Sequence, residues 1–313
     1  MSTVFERLAP GARVAVIRLR SLGDCVLTTP SLSLLKQARP DLRIAIVVED
    51  AFAPIFSGNP DVECILRPRA AEISRWRPQL SLNLHGGATS VRLTLASRAS
   101  LRAGFGHFRF RTIYNIRIPR AQEILNVDRK VHTAEHLASA IFFLGAPVSQ
   151  IPRARLFAKP AARPLSYAVL HPMASAPDKI WPHSNFLALA DHIQRRLQLE
   201  PVFISGPGES LDAFHPYTRI EGASLEEIKS LLAGASLFIG NDSGPAHMAA
   251  ACGIPVVALF GSSDPDIWRP WQTESSVLTN PAGIQSIGIP EALRAIETVR
   301  VPDPQPLVPH LCQ

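Results

Sequence analysis

Four short stretches of this chain carry residue types that could do chemistry. Leu237 to Ile239 is an apolar run that fits a buried strand, and Gly240-Asn241-Asp242-Ser243-Gly244-Pro245-Ala246-His247 follows it. Gly240 and Gly244 bracket a turn whose backbone can lie close to a ligand, and Pro245 suits the first position of a helix. The free N–H groups of that helix start would accept an anion such as phosphate, with Ser243, the Gly244 backbone and His247 in reach. A carboxylate beside a diphosphate is repelled, so Asp242 is expected either to cap the helix or to accept hydrogen bonds from hydroxyls. Arg20-Ser21-Leu22-Gly23-Asp24 is a second loop between an apolar run and a helical pattern, where Asp24 suits either a helix N-cap or a general base. A third, Asp178-Lys179-Ile180-Trp181-Pro182, offers a point charge in a proline-rich loop, with Ser175 four residues earlier as a hydroxyl donor. The fourth, His132-Thr133-Ala134-Glu135-His136, matches the H-x-x-E-H zinc-hydrolase pattern, with both histidines expected on one helix face. No third metal ligand can be assigned to it, and helix packing is the competing reading. Gly206-Pro207-Gly208 lacks the third glycine of a dinucleotide fingerprint, and Gly240 to Gly244 is not G-x-S-x-G because the serine falls one place late.

These loops need strands to hold them. Arg13 to Leu19 reads as a first parallel strand, a helix runs from the Asp24 loop to Arg39-Pro40, and Arg43 to Val48 is the next strand. The alternation continues with a helix near Ala51 to Phe56, a strand at Glu63 to Leu66, a short helix from Ala70 to Trp76, a strand at Leu80 to Leu84 and a helix from Thr89 to Arg98. This rhythm predicts a doubly wound α/β sheet. From Arg98 to Arg120 the chain turns basic, with Arg98, Arg102, His107, Arg109, Arg111, Arg117 and Arg120 among Phe105, Phe108, Phe110 and Tyr114. That stretch reads as a solvated loop or as a surface for an anionic substrate. A helix from His132 to Leu144 ends at Gly145, and Ala146 to Pro164 reads as a linker. The alternation restarts with a strand at Tyr167 to Leu170, a loop to Pro182, a helix from Ser184 to Leu199 and a strand at Pro201 to Ser205. Ser224 and Glu227 form a capping box, and Val256 to Phe260 is a further strand. Two Rossmann-like halves of this kind would face each other across a cleft lined by Ser21 to Asp24 and by Asn241 to His247. The tail, Val301 to Gln313, is expected to be loosely ordered.

Composition bounds the rest. A chain of 313 residues with 46% hydrophobic and 19% charged residues can bury two ordinary cores. The cysteines Cys25, Cys64, Cys252 and Cys312 are scattered singly, which suits reduced thiols rather than a disulfide framework. A formal charge of +6, carried largely by arginine, suits phosphate or carboxylate partners. No nucleic-acid module is recognisable. With no apolar run of roughly 18 residues and no signal-peptide stretch in Met1 to Arg20, a cytoplasmic location is expected.

Taken in order, R-S-L-G-D with its flanking strand and helix, D-K-I-W-P, and G-N-D-S-G-P-A-H-M-A-A-A-C-G-I-P-V-V-A-L-F-G followed by S-S-D-P resemble glycosyltransferase family 9, the heptosyltransferases of lipopolysaccharide synthesis. The resemblance implies a GT-B fold and an inverting, metal-independent transfer of heptose from ADP-heptose to a lipid-linked inner-core acceptor. No cofactor is implied, since the ADP-sugar is a co-substrate. Residues 1–160 would bind the acceptor and 161–313 the nucleotide sugar, with peripheral contact at the inner membrane face. On this reading Asp24 is the catalytic base and Lys179 the catalytic phosphate ligand. Ser175, Ser243, Gly244 and His247 attend the diphosphate, Asp242 the sugar and Glu209 the nucleoside, while Arg18, Ser21 and Gly23 lie on the acceptor side. The competing readings are a transferase of the same fold with another nucleotide sugar or acceptor, a non-catalytic anion-binding module, and a zinc hydrolase built on His132 and His136.

Overall fold

In a computed structural model, described here for residues 2–299, the chain divides into two compact units, Met1–Phe157 and Ala158–Gln313. The first contains β1 (Arg13–Ile17), α1 (Leu22–Ala38), β2 (Arg43–Val47), β3 (Cys64–Leu66), α2 (Ala70–Trp76), β4 (Leu80–Asn83), α3 (Ala88–Ala96), β5 (Leu101–Phe105), β6 (Ile116–Ile118), α4 (Ala121–Leu125) and α5 (Thr133–Leu144). The second contains β7 (Tyr167–His171), α6 (His183–His192), β8 (Glu200–Ile204), β9 (Thr218–Ile220), α7 (Leu225–Gly234), β10 (Leu237–Asn241), α8 (Gly244–Cys252), β11 (Val256–Leu259), α9 (Pro265–Trp268), β12 (Ser275–Leu278) and α10 (Ile289–Thr298).

Each unit is built on one six-stranded sheet, in the order β3-β2-β1-β4-β5-β6 and β12-β11-β10-β7-β8-β9. Every pairing is parallel, with Val14 opposite both Ile44 and Leu80, and Ile239 opposite both Leu170 and Val257. Numbered within its own unit, the second order repeats the first. Both are doubly wound sheets whose strand order reverses between the first and fourth strands, and loops at the carboxyl ends beside that reversal are where ligands bind in such folds. Central strands are covered on both faces: β1, β7 and β10 are largely apolar runs, and β4 is buried along its whole length although Ser81 and Asn83 alternate with its leucines. Trp181, Phe186, Phe203, Phe214 and Phe238 are fully buried in the second unit, and the Trp181 Nε1–H donates to the Ile287 carbonyl at 2.9 Å.

The elements depart from the sequence reading in the basic stretch. Two strands, β5 and β6, lie inside what reads as a loop, because Arg102 and Gly104 interrupt the apolar signal of β5 and β6 is only three residues long. Arg102 is structural: its guanidinium donates to the carbonyls of Ile113 and Ala99. The helix expected over Ser184 to Leu199 is α6 followed by a π turn at Ile193–Leu197, and the one near Ala51 is a 3-10 turn, Asp50–Ile55. Edge strands β9 and β12 carried no pattern long enough to read. Residues 301–313, expected to be loosely ordered, lie outside the described residues, as does Cys312. No helix among the described residues is long and apolar enough to cross a membrane.

Candidate active site

In the first unit the chain leaves β1 at Ile17, and Arg18 to Ser21 lead into α1. Asp24 is the third residue of α1 and Ser21 is the N-cap, so Asp24 does not cap the helix. Its Oδ1 lies 3.3 Å from Arg18 Nη1, and its Oδ2 accepts the Ser21 hydroxyl at 3.0 Å. The Arg18 side chain is 8% exposed against 23% for Asp24, so the cation is inside and the carboxylate faces outward. Burial lowers the Arg18 pKa and the Asp24 charge opposes that shift, as expected for a guanidinium placed to hold an anion. Gly23 is buried in the first turn of α1. The Cys25 thiol beside Asp24 is pushed up to about 12 by burial, which leaves no thiolate for nucleophilic work.

Across the strand-order reversal, β4 ends at Asn83, whose Oδ1 accepts the His85 and Gly86 N–H groups at 3.0 Å each. Its amide nitrogen is within 2.9 Å to 3.1 Å of Ser90 Oγ, Thr94 Oγ1 and Tyr114 OH. This network presents His85, whose pKa is lowered by burial and by the charges of Arg18 and Arg20, and whose Nδ1 is buried without a hydrogen-bond partner. No sequence motif marked His85; an Asn ending a strand before His-Gly-Gly is the only signal for it.

At the carboxyl ends of β5 and β6 a cavity of about 940 Å³ is lined by His107, Arg120, Asp128, Arg129, Lys130 and His136, among others. His136 stacks on Phe105, their ring centroids 4.1 Å apart. Burial, with the charges of His107 and Arg18, lowers its pKa to about 4, so the imidazole is neutral. Only His107 and Arg120 of the basic stretch reach this cavity. Arg98 lies at the other end of the sheet, Arg102 is spent on backbone carbonyls, and Arg109 stacks over Phe110 at 5.5 Å.

The zinc pattern resolves into a helix start. His132 is the N-cap of α5, outside the helix rather than on a shared face with His136, and its Nδ1 accepts the Ala134 N–H at 3.1 Å. Glu135 accepts the His132 N–H at 2.8 Å and both guanidinium nitrogens of Arg129 at 2.8 Å and 2.6 Å. His132 Nδ1 and the Glu135 carboxylate are thus spent on the helix start, and no group of three ligating side chains occurs among the described residues.

In the second unit, the loops after β7, β10 and β11 meet. Asn241, buried at the end of β10, donates from Nδ2 to the Pro172 carbonyl at 2.8 Å and accepts the Trp181 N–H at 3.2 Å. It thus fastens both ends of the loop that carries Lys179. The loop passes directly over Gly261, where a Cβ would stand 2.1 Å from the Asp178 carbonyl oxygen and 2.9 Å from Lys179 Cα. Gly240 likewise serves packing rather than a ligand, since its Cβ would meet the His171 carbonyl at 2.9 Å. The result is an ion pair, Lys179 Nζ to Asp242 Oδ2 at 3.5 Å, with side chains 25% and 9% exposed.

Ser243 is the N-cap of α8, but its side chain makes no cap; its Oγ is 3.1 Å from His171 Nδ1. Burial drives the His171 pKa down to about 4, so this partner is a neutral imidazole. Gly244 opens α8 and Pro245 is its second residue, one place later than the sequence suggested. His247 is buried on α8 with its ring 6.2 Å from Trp268. Two of the residues expected here stand apart from the pair. Ser175 is exposed and bonds to neither Lys179 nor Asp242, and the Glu209 carboxylate closes its own loop on the Gly206 N–H at 2.7 Å. His171 and Asn241, which do organise the site, carried no motif beyond their places at strand ends.

Comparison with known proteins bears on this arrangement. A family model described as Glycosyltransferase family 9 (heptosyltransferase) matches residues 77–286, about two thirds of the chain. The chain is similar to lipopolysaccharide heptosyltransferase 3 of Escherichia coli, 28% identical over 289 residues, covering 81% of this chain and 84% of that protein. It is also similar to lipopolysaccharide heptosyltransferase 1 of Salmonella typhimurium, at 25% identity, covering 82% and 90%. Among solved structures, a family 9 glycosyl transferase from Veillonella parvula superposes with a TM-score of 0.79 at 22% identity, covering 92% of this chain and 96% of that one. The E. coli heptosyltransferase WaaC with ADP superposes with a TM-score of 0.76 at 20% identity, covering 91% and 99%. These likenesses show the GT-B fold.

Proposed function

The chain belongs to glycosyltransferase family 9, the heptosyltransferases, and on that premise we propose that it transfers heptose from ADP-heptose to a lipopolysaccharide inner-core acceptor, with inversion and without a metal ion. That it is a glycosyltransferase follows from the family; donor, acceptor and stereochemistry are the proposal. The observation that carries it is the loop assembly of the second unit, where Asn241 and Gly261 hold Lys179 beside Asp242 at a helix start that no side chain caps.

A diphosphate leaving group needs positive charge as the bond to the anomeric carbon breaks. Lys179 supplies a full charge, and the Gly244 end of α8 adds the partial charge of its N–H groups, with Ser243 and His247 on the same element. Asp242 then exchanges its ion pair with Lys179 for hydroxyls of the sugar, while Ser175 and Glu209 attend the phosphates and the nucleoside. In the first unit Asp24 is the base: it takes the proton of the acceptor hydroxyl, whose oxygen bonds to the anomeric carbon as the bond to the diphosphate breaks and ADP leaves. Ser21 and Arg18 orient that carboxylate, Gly23 shapes the turn beneath it, and the basic cavity at His107 and Arg120 suits the anionic groups of a core lipid. That the similar E. coli heptosyltransferase WaaC is known in complex with ADP supports an ADP-linked donor.

Incubation of the protein with ADP-heptose and truncated core acceptors, read by mass spectrometry, tests the reading. One heptose should be added to an inner-core acceptor, and Asp24→Asn should cut the rate by about 10²–10⁴, the usual contribution of a general base, with ADP affinity within twofold of the parent. Full turnover by Asp24→Asn would remove Asp24 as the base. Transfer from UDP- or GDP-sugars alone would replace the donor.

A further inference from the structure

The amino edge of the first sheet carries a second basic site that the transfer chemistry does not use. A cavity of about 710 Å³ is lined by Arg13, Ser74, Arg75, Arg77, Pro78, Ser97 and Arg98, four guanidinium groups and no carboxylate. Arg13 begins β1 and Pro78 precedes β4, so the site lies at the opposite end of the sheet from Asp24, a strand length of about 16 Å away. Its place at the closed end of the fold separates it from the loops described above.

Three features mark it as more than a solvated surface. Arg75, Arg77 and Arg98 are exposed, line one cleft together, and none has an ion-pair partner among the described residues. The carboxylate that feels the charge of Arg13 is Glu63, and it is already held by Arg43. Arg13 is itself fixed, donating to the Trp76 carbonyl at 3.1 Å with its guanidinium 5.3 Å from the Trp76 ring.

The backbone gives the third. Arg77 ends α2 at φ 49° and Arg98 follows α3 at φ 52°, both left-handed, where glycine is the favoured residue because it has no Cβ to clash. Of five non-glycine residues with positive φ among the described residues, two are arginines and both line this cavity. The helix dipoles offer an ordinary reason for a cation at each end, but two C-termini present about half a negative charge each against four guanidinium groups. The surplus is unanswered among the described residues. Forked N–H donors on several arginines match the oxygens of a phosphate group.

We propose that this cleft binds a phosphate group, either of a phospholipid headgroup or of a free phosphate compound. The reading is independent of which sugar is transferred and to what.

The test uses the full chain, an Arg77→Gly/Arg98→Gly variant and an Arg75→Gln variant. Glycine relieves the left-handed positions, so the double variant should melt at or above the parent temperature while losing the ligand. Calorimetric titration with inorganic pyrophosphate in saturating ADP, which fills the diphosphate site at Lys179, and sedimentation with phosphatidylglycerol-containing vesicles, against phosphatidylcholine alone, distinguish the two sources. Either arm should show binding by the parent that falls at least tenfold in the double variant and several-fold in Arg75→Gln, with heptose transfer to a water-soluble acceptor unchanged. Equal binding by parent and variants in both arms, or no binding by the parent in either, overturns the proposal. So does a melting temperature lowered by the glycines, which would make the arginines helix caps.

Discussion

Lys179 and Asp242 hold each other at 3.5 Å, so each sets what the other can bind. Removing the cation leaves a carboxylate facing the phosphates: Lys179→Ala should weaken ADP by about 10- to 100-fold, the worth of one charge-assisted bond. Removing the anion has the opposite sign. Asp242→Asn frees Lys179 and should tighten ADP by up to about tenfold, as 1.4 kcal/mol of relieved repulsion gives, while transfer falls because the sugar loses its acceptor. Calorimetry with ADP decides both, and weaker ADP binding by Asp242→Asn would sink the shared-charge account. His171 and His136 make a pH prediction. Both are lowered to about 4 by burial, against an ordinary value of about 6.5. Between these values the unfolded chain binds protons that the folded chain refuses, so stability is full above about pH 6.5 and declines as the pH falls toward 4, by on the order of 3 kcal/mol per group. Urea midpoints from pH 7 to 4.5 should show this slope, and His171→Asn should reduce it by about one proton; an unchanged slope would reassign the effect.

At the scale of elements, the loop from His171 to Pro182 works because two neighbours admit it. Asn241 fastens its ends and Gly261 gives it room. Gly261→Ala should therefore act at a distance, displacing Lys179, costing about 1–3 kcal/mol of stability and weakening ADP without touching it. An alanine variant with parental ADP affinity would show that the loop can shift without moving the lysine. The strand–loop–helix at Gly240 was legible in sequence because its residues are neighbours: apolar run, turn, proline, helix. Gly261 was not, because the backbone that demands it is 82 to 83 residues earlier in the chain. The same reason hid the division of the basic stretch, whose arginines are adjacent in sequence but are sent by β5 to opposite ends of the sheet or into its loops.

For the whole molecule, the proposed function assigns the donor to the second of two units whose sheets share one strand order. ADP at about 100 times its dissociation constant adds roughly 2.7 kcal/mol, and hydrogen exchange should show that protection in residues 167–261 and little change over 13–118. Protection spread equally over both sheets would contradict a donor site confined to the second. The sequence by itself determined the alternation of strands and helices, the two-unit plan and the loops holding Asp24, Lys179 and Asp242, since these rest on periodicity and on contiguous motifs. It could not decide that the H-x-x-E-H pattern is a helix cap, since that depends on where the lone pairs of His132 and Glu135 are spent. Nor could it find the Lys179–Asp242 pair, the roles of Asn241 and Gly261, or the arginine cleft at the amino edge. Each of these depends on groups far apart in the chain meeting at one sheet end, and only the packing of the strands brings them there.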